Sequence, residues 1–529
     1  FHAVNILLYG VVAGLVALLS TVLFSPAVGV LAGLLFAVHP VHVEATANVV
    51  GQAELWAALG YLAALLAAWE RCQLLESRGR GRGRVWLLAA AVAAVALGVG
   101  AKEHVVTFPG ALLLIWWLHA KRTRVAWRDV VRREWVVGAA TIAVLGAYLV
   151  FRARFTVGMT ASGGIATGLD PSSAMARTVV MLPISLRWLQ LLFLPVWLSA
   201  DYSPQHLTPD PVFGPIHAAA ALLWIALGAL VWMRRHQWPA VVVGAALFAI
   251  TISVVSNVVV PLEMVLAERL LLLPSVGWAI AVAGVLAAVA NAPGSSRRLG
   301  MILVGIAVAG MAGRSLQRAV SWRSNDTFSA QLLIDAPASF RSHWVLSSLA
   351  FGRGDSALGE SEMRTAVRLN PDHVPLLEEF GRLYAGTGRY EPSIPFLARA
   401  FALDSTLVSS ALPLALALGR TGRAGEALVV LDAASRIHGE SLQIALVRSE
   451  MLQRSGDSLG ALAALQPAVQ QNPESWRIRA MVAEAGARAG DCRVAIAQAD
   501  TVLRLAPPAE REAADAWRQT LANVNANCD

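Results

Sequence analysis

A chain of 529 residues that is 56% hydrophobic, with a mean hydropathy of +0.57, is too apolar for a water-soluble domain throughout. Its formal net charge of +8 does not call for nucleic acid, because the basic residues fall in short loops between apolar runs, where positive-inside topology accounts for them. The three cysteines, Cys72, Cys492 and Cys528, lack metal-ligand spacing; Cys492 and Cys528 either pair in an oxidising compartment or stay as thiols.

Residues 1–318 hold the long apolar runs, and residues 319–529 read as a soluble, helical second domain. Spans are predicted at roughly 5–23, 27–39, 54–70, 85–101, 103–119, 135–151, 216–233, 239–258, 270–291 and 299–314, each near the ~20 residues that cross a bilayer. Four basic clusters orient them: Arg71, Arg78, Arg80, Arg82 and Arg84; Lys121, Arg122, Arg124, Arg128, Arg132 and Arg133; Arg234 and Arg235; Arg297 and Arg298. With these in the cytoplasm, the chain start, residues 39–52, 100–104, 152–215 and 259–274, and the second domain all fall on the outer side. Residues 177–199 break the parity if they span. With Pro183, Arg187 and Pro195 they read as an amphipathic helix at the outer interface, a span being the alternative.

Four ionisable clusters fall on that outer side. His39, His42, Glu44 and Glu54 come first. They are costly near lipid unless they face a bundle interior or a watery cavity, and they serve either as a hydrogen-bonded cap or as part of a site. Zinc on His39 and His42 is a poor fit across the intervening proline. Lys102-Glu103-His104 forms a tight turn in which Lys102 is either the ion-pair partner of Glu103 or a phosphate ligand. Arg152 and Arg154 end a span and can anchor to the outer leaflet. Glu263, Glu268 and Arg269 sit in apolar sequence, where Arg269 needs an anionic partner, either an acidic side chain or a lipid phosphate. Asp201 adds a carboxylate after the interfacial helix. Cations at this depth can hold a phosphate while a carboxylate takes a proton from an incoming hydroxyl.

The second domain is periodic. Pro337, Pro371, Ser405, Gly439, Pro473 and Pro507 recur every 34 residues, as do Gly354, Gly388, Gly422, Gly456 and Gly490, and the small residues Gly359, Ser393, Ala427, Ala461 and Ala495. That is the tetratricopeptide period: the glycine turns the chain between paired helices, the small residue lets them approach, and the proline starts the next pair. Such arrays either bind an extended peptide or a partner protein or only rigidify or oligomerise the chain.

Phe1-His2-Ala3-Val4-Asn5, His39-Pro-Val-His-Val-Glu-Ala45, Val50-Gly-Gln-Ala-Glu54, Ala101-Lys-Glu103, Leu198-Ser-Ala-Asp-Tyr202, Ala267-Glu-Arg-Leu-Leu-Leu-Leu-Pro-Ser-Val-Gly277 and Trp322-Arg323 resemble, in order, motifs of the transmembrane and tetratricopeptide-repeat O-mannosyltransferases. Gly51-Gln52 departs from the family's usual Gly-Arg. The resemblance implies an all-α protein: a polytopic GT-C-like helix bundle, then the repeat superhelix. It implies a polyprenyl-phosphate-linked hexose donor, mannose in the family, a Ser or Thr acceptor on a protein held by the repeats, contact with membrane lipid, and no assigned metal. By the same alignment the chain begins at the family's second span, so the acidic base of the first outer loop is expected outside it and the chain as given is expected to be inactive. His39, His42 and Glu44 are then expected to shape the donor-sugar pocket, Lys102, Arg269 and Arg152 to bind the donor phosphate, and Asp201 to lie on the acceptor side. Ala-, Arg- and Gly-rich usage suggests a bacterial inner-membrane protein with its repeats in the periplasm. The competing expectations are a membrane-anchored repeat scaffold with a degenerate enzyme half and, more weakly, a transporter.

Overall fold

Long apolar stretches punctuated by Pro, Gly and basic turns give helices, and in the computed structural model every regular element of the described residues (2–76, 82–155, 173–203, 210–262, 264–290 and 295–524) is helical. Two compact units form, Phe1–Leu346 and Ser347–Asp529, so residues 319–346 group with the first.

The first unit contains α1 His2–Leu23, α2 Pro26–Ala37, α3 Val43–Ala47, α4 Gln52–Glu76, α5 Arg82–Ala101, α6 Phe108–Thr123, α7 Trp127–Phe155, α8 Ala174–Phe193, α9 Pro215–Met233, α10 Pro239–Val255, α11 Pro274–Ala290, α12 Ser295–Ser321 and α13 Asn325–Asp335. Among the described residues six helices are long and apolar enough to cross a membrane: α1, α5, α7, α8, α9 and Arg298–Ser321 within α12. Pro26–Ala37 with Pro40–Ala47 makes a seventh if it is one span bent by 53°. The bend has a local cause: His39 precedes Pro40 and is pushed to extended backbone, ending α2. The chain is a membrane protein. Where α10 meets α11, a Cβ on Gly277 would lie 2.4 Å from the Phe248 backbone nitrogen, so the absent side chain sets how closely these helices cross.

The loops gather at two ends. At one end Phe24, Ser25, Arg122, Trp238 and Gly284 line a pocket of 230 Å³. Buried Glu134 holds Arg71 and Arg84 at 2.5 Å each. Arg78 and Arg80 lie outside the described residues. At the other end Asn5 donates to the Thr46 carbonyl, Ser315 to that of Val38, and Arg314 to that of Val196.

Helix α8 stops at Phe193, short of the expected 199, because Leu194 precedes Pro195. Its buried residues, Val180, Met181, Ile184, Ser185, Trp188, Leu191 and Leu192, form one face. Its length and composition also suit a span. Both its ends are nonetheless tied to the same end of the bundle: Arg177 donates to the Asn257 and Val258 carbonyls, and the Leu192 carbonyl contacts His39 Nε2 at 3.0 Å.

The second unit stacks helix pairs. After α14 (Phe340–Gly352) and α15 (Ser356–Leu369) come α16 Val374–Gly386 with α17 Tyr390–Leu403, and α18 Val408–Arg420 with α19 Ala424–His438. Helix α20 Leu442–Arg454 is followed by α21 Ser458–Ala464 and α22 Gln466–Gln471, then α23 Trp476–Arg488 with α24 Cys492–Leu505, and α25 Arg511–Val524 closes the row. Gly354, Gly388, Gly422, Gly456 and Gly490 all adopt positive φ, between 74° and 88°. Each is followed by the same bond: Asp355, Arg389, Arg423, Asp457 and Asp491 donate their amides to the carbonyl five residues back. This is the Schellman end of a helix, which needs a residue without a Cβ penalty. Ser393, Ala427, Ala461 and Ala495 are buried between the paired helices. Cys492 is disulfide-bonded; Cys528 lies outside the described residues.

Candidate functional site

The turn after α2 is built by its own side chains. His39 Nδ1 accepts the Val41 amide at 3.2 Å, which fixes the proton on Nε2 and lets it donate to the Leu192 carbonyl. His42 Nδ1 lies 2.9 Å from the Tyr9 hydroxyl and Nε2 lies 2.8 Å from Ser275 Oγ. The two rings pack with Phe36 and Trp278. Both histidines are buried with their nitrogens committed to the protein, so the zinc alternative fails on geometry. Among the described residues no group of three or more His, Cys, Asp or Glu is placed to hold a metal ion.

Two residues after His42, buried Glu44 meets Arg269. Its Oε2 accepts the Arg269 backbone amide at 3.0 Å and its Oε1 accepts the guanidinium. A short 3-10 turn, Glu268–Leu271, presents that amide at its start, where an anion is favoured. The partner that apolar surroundings demanded for Arg269 is therefore a carboxylate 225 residues away, rather than its neighbour Glu268.

Glu268 points elsewhere. It is fully buried, and its Oε1 accepts the Ser199 amide at 2.6 Å and the Tyr202 hydroxyl at 2.8 Å, while Oε2 has no hydrogen-bond partner. Burial pushes its carboxyl up to about 8, with the Glu44 charge adding to the rise and Arg318 opposing it. The Tyr202 phenol is raised well above its ordinary value by burial and by Glu268. Asp201 accepts the Ser339 hydroxyl and lies 3.7 Å from Arg341. Asp201, Tyr202, Arg269 and Arg341 line one narrow pocket of 40 Å³. Glu263 lies outside the described residues.

Lys102 and Arg152 belong to a second group at the same end. Glu54, expected beside the histidines, instead sits 3.5 Å from Lys102 Nζ and 3.3 Å from His104 Nδ1. Glu103, one of the two partners expected for Lys102 (the other a phosphate), pairs with Arg152 at 3.4 Å. The reason is direction: Lys102 has extended backbone and caps the next turn, so its side chain leaves toward α4 while that of Glu103 turns toward α7. Thus His39, His42, Glu44, Arg269 and Asp201 meet around one set of loops, and Lys102 and Arg152 around another. Sequence reasoning passed over Tyr9, Ser275, Tyr202 and Arg318 as working parts. Tyr202 carried a signal, standing beside Asp201 directly after the interfacial helix; the others are ordinary helix residues in sequence.

No protein-family profile matches the chain. Curated proteins do. Mouse protein O-mannosyl-transferase TMTC4 is 26% identical over 396 residues, covering 67% of this chain and 53% of that protein. The chain is a relative of the protein O-mannosyl-transferases. Mouse protein O-mannosyl-transferase TMTC2 is 28% identical over 214 residues, 38% of this chain and 25% of that one, and Caenorhabditis elegans protein O-mannosyl-transferase F38B6.6 is 23% identical over 352 residues, 65% and 46% respectively. The chain spans about half the length of the curated O-mannosyl-transferase TMTC4.

Proposed function

We propose that this protein transfers a hexose, mannose by analogy with its relatives, from a polyprenyl-phosphate carrier to a Ser or Thr hydroxyl of a protein on the non-cytoplasmic side, as a GT-C type glycosyltransferase. The observation that carries the reading is the convergence of Glu44, Arg269, Asp201 and Tyr202 at the end opposite the basic loops, in a chain related to protein O-mannosyl-transferases. In the proposed step the acceptor hydroxyl oxygen bonds to the anomeric carbon. The bond from that carbon to the phosphate oxygen breaks, and the phosphate leaves with the electron pair. A carboxylate takes the hydroxyl proton, and Asp201, which lines the pocket, lies on the acceptor side of the step. Arg269 on Glu44, Lys102 at Glu54 and Arg152 at Glu103 form paired polar walls at this end, beside which the anionic donor is placed. His39 and His42 hold the turn that carries Glu44. The repeat unit presents the acceptor polypeptide.

The test is mass spectrometry of exported proteins from cells with the intact gene, without it, or with Arg269→Ala or Asp201→Asn. Ser/Thr peptides carrying an added hexose are expected only with the intact gene. The same modified peptides in all four strains would refute the assignment.

A further inference from the structure

The cations at this end of the bundle divide into two kinds. Arg269 sits on Glu44, Lys102 at Glu54, Arg152 at Glu103, and Arg318 on Asp335. Each of these charges is met by a carboxylate. Arg187 and Arg314 are different. Arg187 donates to the Gln190 side-chain oxygen and to the Trp197 carbonyl at 3.1 Å, with its guanidinium over the Tyr202 ring. Arg314 donates twice to the Val196 carbonyl, at 2.9 and 3.2 Å, and once to Gln317. Among the described residues these acceptors are all neutral, so no carboxylate meets either charge. The arginines are braced on consecutive carbonyls and line one open groove of 500 Å³. Asp335, the carboxylate in its wall, is already taken by Arg318 and Gln331.

The rest of the groove is greasy. Val196 is 53% exposed, Trp197 64% and Ile334 74%. Its wall continues into the proposed site: Tyr202 lines both the groove and the 40 Å³ pocket that holds Asp201 and Arg269. The pocket is too narrow for a lipid head group, and the groove beside it is large enough.

We propose that this groove seats the lipid phosphate of the donor: one negatively charged phosphate between Arg187 and Arg314, with its single apolar chain leaving over Val196, Trp197 and Ile334. Paired arginine forks suit phosphate oxygens in a way that lone lysines do not. The inference rests on the transferase reading for the identity of the lipid. It departs from the sequence-based expectation by moving the phosphate contact from Lys102 and Arg269, whose charge is spent internally, to two arginines whose charge is not.

The experiment is equilibrium binding of radiolabelled farnesyl phosphate to the full chain in phosphatidylcholine nanodiscs, with farnesol, inorganic phosphate and phosphatidylglycerol as competitors. Arg187→Gln and Arg314→Gln should each weaken binding about tenfold or more, in line with losing a charged hydrogen bond. Arg314→Lys should retain part of it, with an unchanged melting temperature showing that the fold survives. Farnesol and inorganic phosphate should compete poorly, since each supplies half of the ligand. Wild-type affinity in the double Gln variant, equal binding of farnesol, or equal competition by phosphatidylglycerol would each overturn the proposal. Hexose transfer in cells separates the two ideas: if transfer is found and the double variant neither binds nor transfers less than wild type, the groove is wrong and the transferase stands. If farnesyl phosphate binds through these arginines and no transfer is found, the groove stands and the transferase falls.

Discussion

The two units solve the same problem, how to hold helices together, by opposite means. In the repeats almost every decisive contact is local: a glycine at positive φ, an amide bonded five residues back, a small residue under the neighbouring helix, all renewed every 34 residues. Their ion pairs lie on the surface, as with Arg399 and Asp372, both more than half exposed. In the membrane unit the decisive contacts are remote and buried. Glu44 reaches across 225 residues to Arg269, His42 across 233 to Ser275, and Arg71 across 63 to Glu134. Local geometry tolerates the loss of any one contact. A buried charge pair does not, because removing one partner strands the other.

That contrast is broken most directly at Glu44. Glu44→Ala strands Arg269, whose side chain is only 15% exposed, and should cost about 3–5 kcal/mol. Thermal unfolding of the detergent-solubilised protein would show it, and Glu134→Ala should behave alike by stranding Arg71 and Arg84. The sharper form is a double-mutant cycle. Glu44→Gln with Arg269→Met should lose less than the sum of the single changes, since the second substitution removes the stranded charge. Additive losses would mean the pair contributes nothing as a pair.

Glu268 is the next lever, because its carboxyl stands at about 8 in the folded chain against an ordinary value near 4.5. The folded state then binds the proton more tightly than the unfolded state does. The stability this brings is fully present below about pH 4.5 and is lost as pH rises through 8. Glu268→Gln keeps an oxygen for the Ser199 amide and the Tyr202 hydroxyl and removes the titration. Melting temperatures measured from pH 6 to 9 should fall for wild type and stay flatter for the variant. Parallel curves would mean that Glu268 ionises without cost.

The same local-against-remote division explains what could be read in advance. The repeats were legible because a period of 34 imposes its residues again and again, and the spans at α1, α5, α7, α9 and α12 because apolar length is a one-dimensional property, whereas α10 and α11, also predicted to span, are 17 residues long and fall short of it. The partners were not legible. Nothing near Lys102 in sequence distinguishes Glu54 from Glu103, and the choice was made by the backbone direction at one capping residue. Arg269 visibly needed an anion, and sequence could not say that it was Glu44. The end of α8 was misjudged by six residues because apolar character runs past Phe193, while the proline that stops the helix was read as one feature of an interfacial segment.

Within the repeats the largest effect should come from the turn glycines. Gly422 has φ +82° with open space around it, so Gly422→Ala meets no clash and pays only for the left-handed backbone, about 1–2 kcal/mol. Gly425, three residues on and inside α19, also faces open space but has ordinary helical backbone. Gly425→Ala should therefore stabilise by about 0.5–1 kcal/mol through better helix propensity. Opposite signs from one substitution type so close together, read by denaturant unfolding, would show that the dihedral angle decides the outcome; equal signs would sink that account.

The smallest effect should come from the surface pairs, and its smallness is informative. Arg399 donates twice to Asp372 Oδ1, at 2.6 and 3.1 Å, a geometry as good as many of the buried contacts. Both side chains are more than half exposed, so water competes for the charges and salt screens them. Arg399→Ala should cost at most about 1 kcal/mol and less in 0.5 M salt. The Glu44→Ala loss, with its charges out of reach of counterions, should change little with salt. If the two losses shrink together as salt is added, then the Glu44–Arg269 pair is open to solvent, and the buried charged site that the proposed transfer chemistry requires is not there.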